Sequence, residues 1–283
     1  MGGQEAEKPE KTEKPERAER VVLITGASAG IGQVTADRLH ERGWTVIGSS
    51  RRGTSSGGWV PLEMDVDDDD SVRSGVEKVL AEQGRLTAVV ACAGWGLAGA
   101  VEQTPIAQAK RQLETNFWGA VRVVQSALPA MRRQGGGRVV LVSSIGGVVA
   151  LPFQAFYSAS KFALEGYGEA LAYEVAPFGI EVTLVQPGNV RTDFTQNRLD
   201  VAPPGGDDAY ADMVAKAVGL MERDEQNGVP PQDVADVFVR ALESRRPRRR
   251  VSVGKPDERV GIIAKRLLPS RIFERAAKGS LGV

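Results

Sequence analysis

Short apolar runs rich in β-branched residues alternate with longer stretches in which apolar positions recur every three or four residues, from Val21 to about residue 254. The first run, Val21-Val22-Leu23-Ile24-Thr25, has no polar alternate, as expected of a strand buried on both faces, and it leads through a glycine turn into helix-like sequence up to Arg42. Further strands are expected at Thr45 to Ser49, Trp59 to Met64, Thr87 to Ala91, Arg138 to Ser143, Ile180 to Gln186 and Arg250 to Gly254. Helices are expected over about 69–83, 105–133, 156–176 and 231–243. Such alternation predicts one α/β domain over 21–254, built on a doubly wound parallel sheet with helices on both faces and its ligand at the carboxyl ends of the strands.

Three segments break the pattern. Residues 1–20 repeat acidic and basic pairs around Pro9 and Pro15 with nothing apolar to pack, which predicts a disordered charged tail. The stretch 189–229 carries Pro203-Pro204-Gly205-Gly206 and is long for a connection inside a compact domain, so it is expected to be a substrate lid. The extension 255–283 mixes Ile262, Ile263, Leu267, Leu268, Ile272 and Phe273 with basic residues around Pro269. It can cover the lid, join a subunit contact or touch a membrane surface, and the first two fit better with a chain that is neutral overall.

Charge and rare residues narrow the partners. Lys and Arg number 36, as do Asp and Glu, so no overall field draws the chain to nucleic acid. No apolar run reaches membrane-spanning length; the lone Cys92 and an N-terminus without an apolar leader predict a cytoplasmic protein. Met1-Gly2 does not begin a myristoylation signal, because Ala6 stands where Ser or Thr is required. Asp67 to Asp70 reads as a helix cap and dipole partners, and no Cys or His cluster suggests a metal. The arginines from Arg245 to Arg250 lack interleaved aromatics and read as a solvated loop.

The candidate chemistry lies between Val140 and Gly166. Tyr157 and Lys161 are four apart, one turn on the same helical face, where a cation favours a phenolate and makes the tyrosine usable as acid or base. An ordinary amphipathic helix carries such pairs too. Gly26-Ala27-Ser28-Ala29-Gly30-Ile31-Gly32 lets the backbone approach a phosphate at a helix start, or simply makes a tight turn. The same residues match the Gly-x-Ser-x-Gly nucleophile elbow, but the single histidine, His40, lies in the helix that follows, and the hydrolase order of Ser, acid and His fails.

Taken together, Thr25 to Gly32, Asn116, Ser144, Tyr157 with Lys161, and Pro187-Gly188 with Thr192 resemble the short-chain dehydrogenase/reductase family, in particular its branch with hydroxysteroid and retinol dehydrogenases. The resemblance implies a Rossmann-like fold and hydride transfer between a nicotinamide cofactor and an alcohol or carbonyl carbon, in a homo-oligomer acting on a small molecule. It implies that Tyr157 exchanges the proton, Ser144 holds the substrate oxygen, Lys161 binds the nicotinamide ribose and lowers the tyrosine pKa, and Asn116 holds a water. It further implies cofactor contacts from Thr25, Gly26, Ser28, Gly30, Ile31, Gly32, Asp65, Val66, Ala93, Gly94, Pro187, Gly188, Val190 and Thr192, and substrate contacts from Gln154 and Asn189. Cys92 replaces an asparagine usual in the family, which puts local hydrogen bonding in question. The second strand ends Ser49-Ser50-Arg51-Arg52 with no acid before Glu63, so Ser50 and Arg51 suit the 2′-phosphate of NADP(H), although the arginines can also sit on a solvated turn. Trp95, Leu97, Val148, Val149, Leu151, Phe153, Gln154 and Phe194 suggest a largely apolar pocket, or core. A nucleotide-binding sensor without turnover is the competing reading, which the intact Ser144, Tyr157 and Lys161 set disfavours.

Overall fold

The computed structural model describes residues 19–55, 57–201 and 209–280. Strands β1 (Val21–Thr25), β2 (Thr45–Ser50), β3 (Val60–Glu63), β4 (Ala88–Ala91), β6 (Gly137–Val142), β7 (Ile180–Pro187) and β9 (Arg250–Val253) form one parallel sheet. Their order is β3-β2-β1-β4-β6-β7-β9, so the winding reverses between β1 and β4. Short strands β5 (Leu97–Ala98) and β8 (Leu199–Asp200) pair separately, in parallel. Helices α1 (Gly30–Glu41) and α7 (Pro231–Glu243) cover one face, and α2 (Asp69–Gln83), α4 (Ala120–Arg133) and α5 (Ala155–Val175) the other. The strand β1 shows why the sheet strands are continuous apolar runs: Val21 and Leu23 pack under α2, α4 and α5, while Val22 and Ile24 pack under α1 and α7.

The acidic run is a helix start, as its position suggested. Asp68 caps α2 by accepting from the Ser71 N–H at 2.6 Å, Asp69 and Asp70 lie in the first turn, and Gly84 closes the far end in the left-handed region with φ 69°. Among the arginines of 245–250, Arg250 belongs to β9 and pairs with Glu165 at 2.9 Å and Glu169 at 2.5 Å on α5, and Arg249 stacks over Tyr173. Arg250 is thus docked on α5, whereas Arg249 remains exposed.

Four expectations about organisation need correction or limits. The helix expected over 105–133 is α3 (Ile106–Leu113), a π-helical turn Glu114–Gly119 and then α4. The stretch 189–229 is not a bare connection, because it holds β8 and the helix α6 (Ala211–Gln226); its Pro203 to Gly206 lie outside the described residues. The charged tail expected over 1–20 also lies outside them up to residue 18, but Arg20 is part of the fold, its carbonyl accepting from Thr45 N at 2.9 Å and its guanidinium pairing with Glu243 at 3.0 Å. Past β9 the chain forms α8 (Pro256–Leu267) and α9 (Ser270–Ser280).

Candidate active site

The glycine turn joins β1 to α1 at the carboxyl edge. Gly26 has φ 70°, and a Cβ there would stand 2.9 Å from the Ala93 Cα, so the turn and the end of β4 touch backbone to backbone. Gly32 lies against the Gly26 carbonyl, leaving no room for a side chain, and Gly30, with φ 56°, faces Thr192 across the opening. Helix α1 starts at Ala29 with no side-chain cap; Ser28 is half-buried in the turn and Ile31 half-buried in the first turn of the helix. The Thr25 hydroxyl accepts from Cys92 N and Ala93 N at 3.0 Å each, tying β1 to β4. That answers the question raised by Cys92, whose thiol packs against the core and is pushed up to about 11 by burial, a packing residue and not a reactive thiolate.

At the end of β2 the buried hydroxyls of Ser49 and Ser50 have no hydrogen-bond partner, and Arg51 lies exposed in the following turn. Asp65 accepts from Asp67 N at 3.1 Å, and Val66 is buried against Gly119 of the π-helical turn. That turn moves Asn116 inward: its amide donates to the Trp95 carbonyl at 3.0 Å and to Ser160 Oγ at 3.3 Å, and its carbonyl accepts from Trp95 N at 3.0 Å. A Cβ on Gly94 would lie 3.1 Å from the Asn116 oxygen and 3.7 Å from Lys161 Nζ, so Gly94, Asn116 and Lys161 line one space.

Ser144, Tyr157 and Lys161 converge there. Ser144 follows β6, its hydroxyl accepting from Gly146 N at 3.0 Å and donating to the Pro187 carbonyl at 3.5 Å, and it lies beside the Tyr157 ring at Gly146. Lys161 donates to the Val142 carbonyl at 2.8 Å and lies 5.8 Å from the centre of the Tyr157 ring. All three side chains are buried. Burial dominates their ionisation: the Tyr157 phenol is pushed up to about 12, against the opposing effect of the Ser144 hydroxyl, and the Lys161 amine is pushed down to about 8. The expected lowering of the tyrosine by its lysine is therefore not seen in the protein alone, because removing two charges from water outweighs their proximity. In this state the Tyr157 hydroxyl keeps its proton at neutral pH.

Around Tyr157 the apolar residues divide. Phe194 meets its ring edge-on at 6.0 Å, and Leu151 closes on it beside Gly146. Trp95 does not join this wall: its indole N–H donates to Thr115 at 3.1 Å and its ring lies under Arg111, while Leu97 is buried in β5. Gln154 is buried at the start of α5. Asn189 is committed to another residue, since its amide donates to Glu258 of α8 at 2.7 Å and its N–H to the same carboxylate at 3.0 Å. Pro187 ends β7, Gly188 donates to the Val253 carbonyl at 2.7 Å, and Val190 bridges to Val229.

Sequence reasoning missed several contributors. The backbone strain at Phe153 is one, with φ 59° two positions before the first residue of the helix that carries Tyr157. Arg198, its side chain fully buried, pairs with Asp200 at 3.1 Å, Glu222 at 3.4 Å and Glu225 at 3.1 Å. Glu225 also accepts from Thr195 and raises the Tyr157 pKa further. A groove of about 280 Å³ between Thr192 and Glu225 runs along this network. The only available signal was the surplus of charge in a stretch read as a lid. His40 is exposed in the last turn of α1, at the other end of that helix from Ser28, so the hydrolase geometry fails in space as well.

A parallel sheet whose glycine turn and Ser-Tyr-Lys set share the carboxyl edge defines a class, the nucleotide-dependent oxidoreductases. The chain belongs to the short-chain dehydrogenase family, whose model matches residues 20–201. It is 40% identical over 260 residues to a 3-ketodihydrosphingosine reductase of Bacteroides thetaiotaomicron, covering 92% of this chain and 97% of that one. It is 34% identical over 251 residues to human 17-beta-hydroxysteroid dehydrogenase type 1, covering 80% and 75%. Among solved structures, a short-chain dehydrogenase from Streptomyces avermitilis superposes with a TM-score of 0.79 at 31% identity, covering 93% of this chain and 99% of that one.

Proposed function

We propose that this oxidoreductase uses NADP(H) to interconvert a ketone and an alcohol on a largely apolar, lipid-like small molecule, and that it does so as a cytoplasmic homo-oligomer. The observation that carries the reading is the convergence of the buried Ser144 hydroxyl and Tyr157 ring beside Gly146, with the buried Lys161 amine 5.8 Å from the ring centre. The residues fit the cofactor: an uncapped helix start and a glycine turn suit a pyrophosphate, and the unpartnered Ser50 hydroxyl beside the exposed Arg51 suits a 2′-phosphate. Asp65 and Val66 would flank the adenine, while Ala93, Gly94, Asn116, Lys161 and the loop from Pro187 through Gly188 and Val190 to Thr192 would line the nicotinamide half. Bound there, the cofactor supplies the hydride.

The chain's own groups handle the oxygen and its proton. Tyr157, protonated at neutral pH, donates to a developing alkoxide, and Ser144 donates to the same oxygen. Lys161, with its pKa near 8, supplies positive charge behind the phenol as the proton leaves. Phe194 and Leu151 beside the ring support an apolar substrate, the resemblance to a 3-ketodihydrosphingosine reductase supports a ketone on a long aliphatic chain, and the segment 189–229 would close over it as a lid. Half-exposed Trp118, Phe162 and Tyr173 support the homo-oligomer.

The test is turnover of 3-ketodihydrosphingosine, a steroid ketone and retinal with NADPH and with NADH, in wild type and Arg51→Asp. We expect the aliphatic ketone to be reduced fastest and NADPH to be preferred about tenfold or more, the preference falling or reversing in the variant. NADH preference in wild type would reject the phosphate assignment. Tight cofactor binding with no turnover on any carbonyl would favour a sensor.

A further inference from the structure

Helix α8 presents two unlike faces. Glu258 and Ile262, four apart, point inward: Glu258 accepts from Asn189 and from Lys255 N at 2.7 Å, and Ile262 is 4% exposed. Val260, Ile263 and Leu267 follow helical spacing on the opposite side and are 61%, 56% and 76% exposed. Arg259 and Arg266 flank that stripe and are exposed. Across the Pro269 turn, α9 anchors by Phe273, buried under Lys265, and leaves Ile272, Arg271 and Arg275 outside. Among the described residues of α8 and α9, the exposed acids are Asp257 and Glu274.

We infer that this α8–α9 face is a docking surface for an anionic phospholipid bilayer, with α8 lying in the plane of the interface. An apolar stripe edged by arginines on a helix too short to span is the pattern of an interfacial helix. Charge decides the occupant. A second copy meeting this face about a two-fold axis would bring one arginine-edged stripe against another, whereas acidic headgroups match it. The chain's own N-terminal residues 1–18 hold no large apolar side chain beyond Met1, so they do not suit the stripe. The charge is local, because the whole chain is neutral. Glu258 fastens the first turn of α8 to the loop after β7, so a bilayer under α8 would lie next to the carboxyl edge that carries Tyr157.

Flotation of the full chain with phosphatidylcholine vesicles, with and without phosphatidylglycerol, tests this without cofactor or substrate, so it stands or falls apart from the catalytic reading. The full chain should float with the anionic vesicles, and high salt should release it. Arg259→Gln with Arg266→Gln should lower partitioning about 30-fold at low salt, at roughly 1 kcal/mol per basic residue. Ile263→Asp with Leu267→Asp should abolish flotation and leave the thermal midpoint and the oligomeric state unchanged, since both side chains are exposed. Failure of wild type to float on anionic vesicles would overturn the inference. So would full flotation of the aspartate variant, or a dimer that this variant dissociates.

Discussion

Two regions meet over the Tyr157 ring and are held in place by different physics. The segment from Ser144 to Lys161 is fixed by short contacts with main chain, such as Gly146 N to Ser144, Lys161 to the Val142 carbonyl and Ser160 Oγ to the Tyr157 carbonyl at 2.7 Å. The segment 189–229 is fixed at long range, with Arg198 joining Asp200 on β8 to Glu222 and Glu225 on α6. The first arrangement survives as long as the sheet does. The second adds to its β5–β8 pairing one fully buried guanidinium that meets the buried Glu225 and two half-exposed carboxylates, a device costly when broken. Under the proposed function, chemistry would sit on the first segment and the second would govern access to it.

Removing the guanidinium is the most severe way to separate them. Arg198→Ala should destabilise the fold by about 3 kcal/mol, the lower end of the range for breaking a buried pair because Asp200 and Glu222 stay half in water. Denaturant midpoints check the stability. Substrate KM should rise more than kcat falls, with partial rescue by Arg198→Lys. A variant as stable as wild type with unchanged KM would mean that the charges do not hold the segment.

Tyr157→Phe breaks the comparison from the other side. Stability and cofactor affinity should be unchanged while kcat drops at least ~10², because the phenol matters where a proton moves and the ring packing against Phe194 is kept. Single-turnover rates and a cofactor titration measure both halves. Near-normal turnover would remove Tyr157 from the chemistry.

The same contrast governs what the amino-acid sequence disclosed. Strands β1 and β4 and the Val139–Val142 part of β6 were legible because burial on both faces leaves an uninterrupted apolar run. Tyr157 and Lys161 were legible because four residues make one helical turn. The Arg198 network was not, since nothing local indicates that an arginine will be buried among acids up to 27 residues away. Phe153 in the left-handed region and the π-helical turn at Asn116 escaped for a related reason: both depart from local preference and are imposed by their surroundings. Spacing reveals a charge near Tyr157 but not how much water is lost, which in the protein alone pushes the phenol up.

That desolvation gives the smallest and sharpest test. Lys161 titrates at 10.5 when exposed and near 8 in the fold, so between those values the unfolded chain binds more protons. Its penalty is fully present below about pH 8 and disappears as pH rises toward 10.5, so this residue makes stability increase with pH across that window. Tyr157 acts oppositely and later: with 10.0 in the unfolded chain and about 12 in the fold, it makes stability fall only above pH 10. From pH 8 to 10 the lysine contributes at most about 2 kcal/mol, while Cys92, at 9.0 unfolded and about 11 in the fold, opposes it above pH 9 in wild type and variant alike. Comparing urea denaturation of wild type and Lys161→Met across that interval cancels the constant loss of the Val142 hydrogen bond and leaves the slope. The wild type should gain on the variant as pH rises. Parallel curves would show that the amine is solvated, and that the catalytic segment is wetter than its packing against the sheet implies.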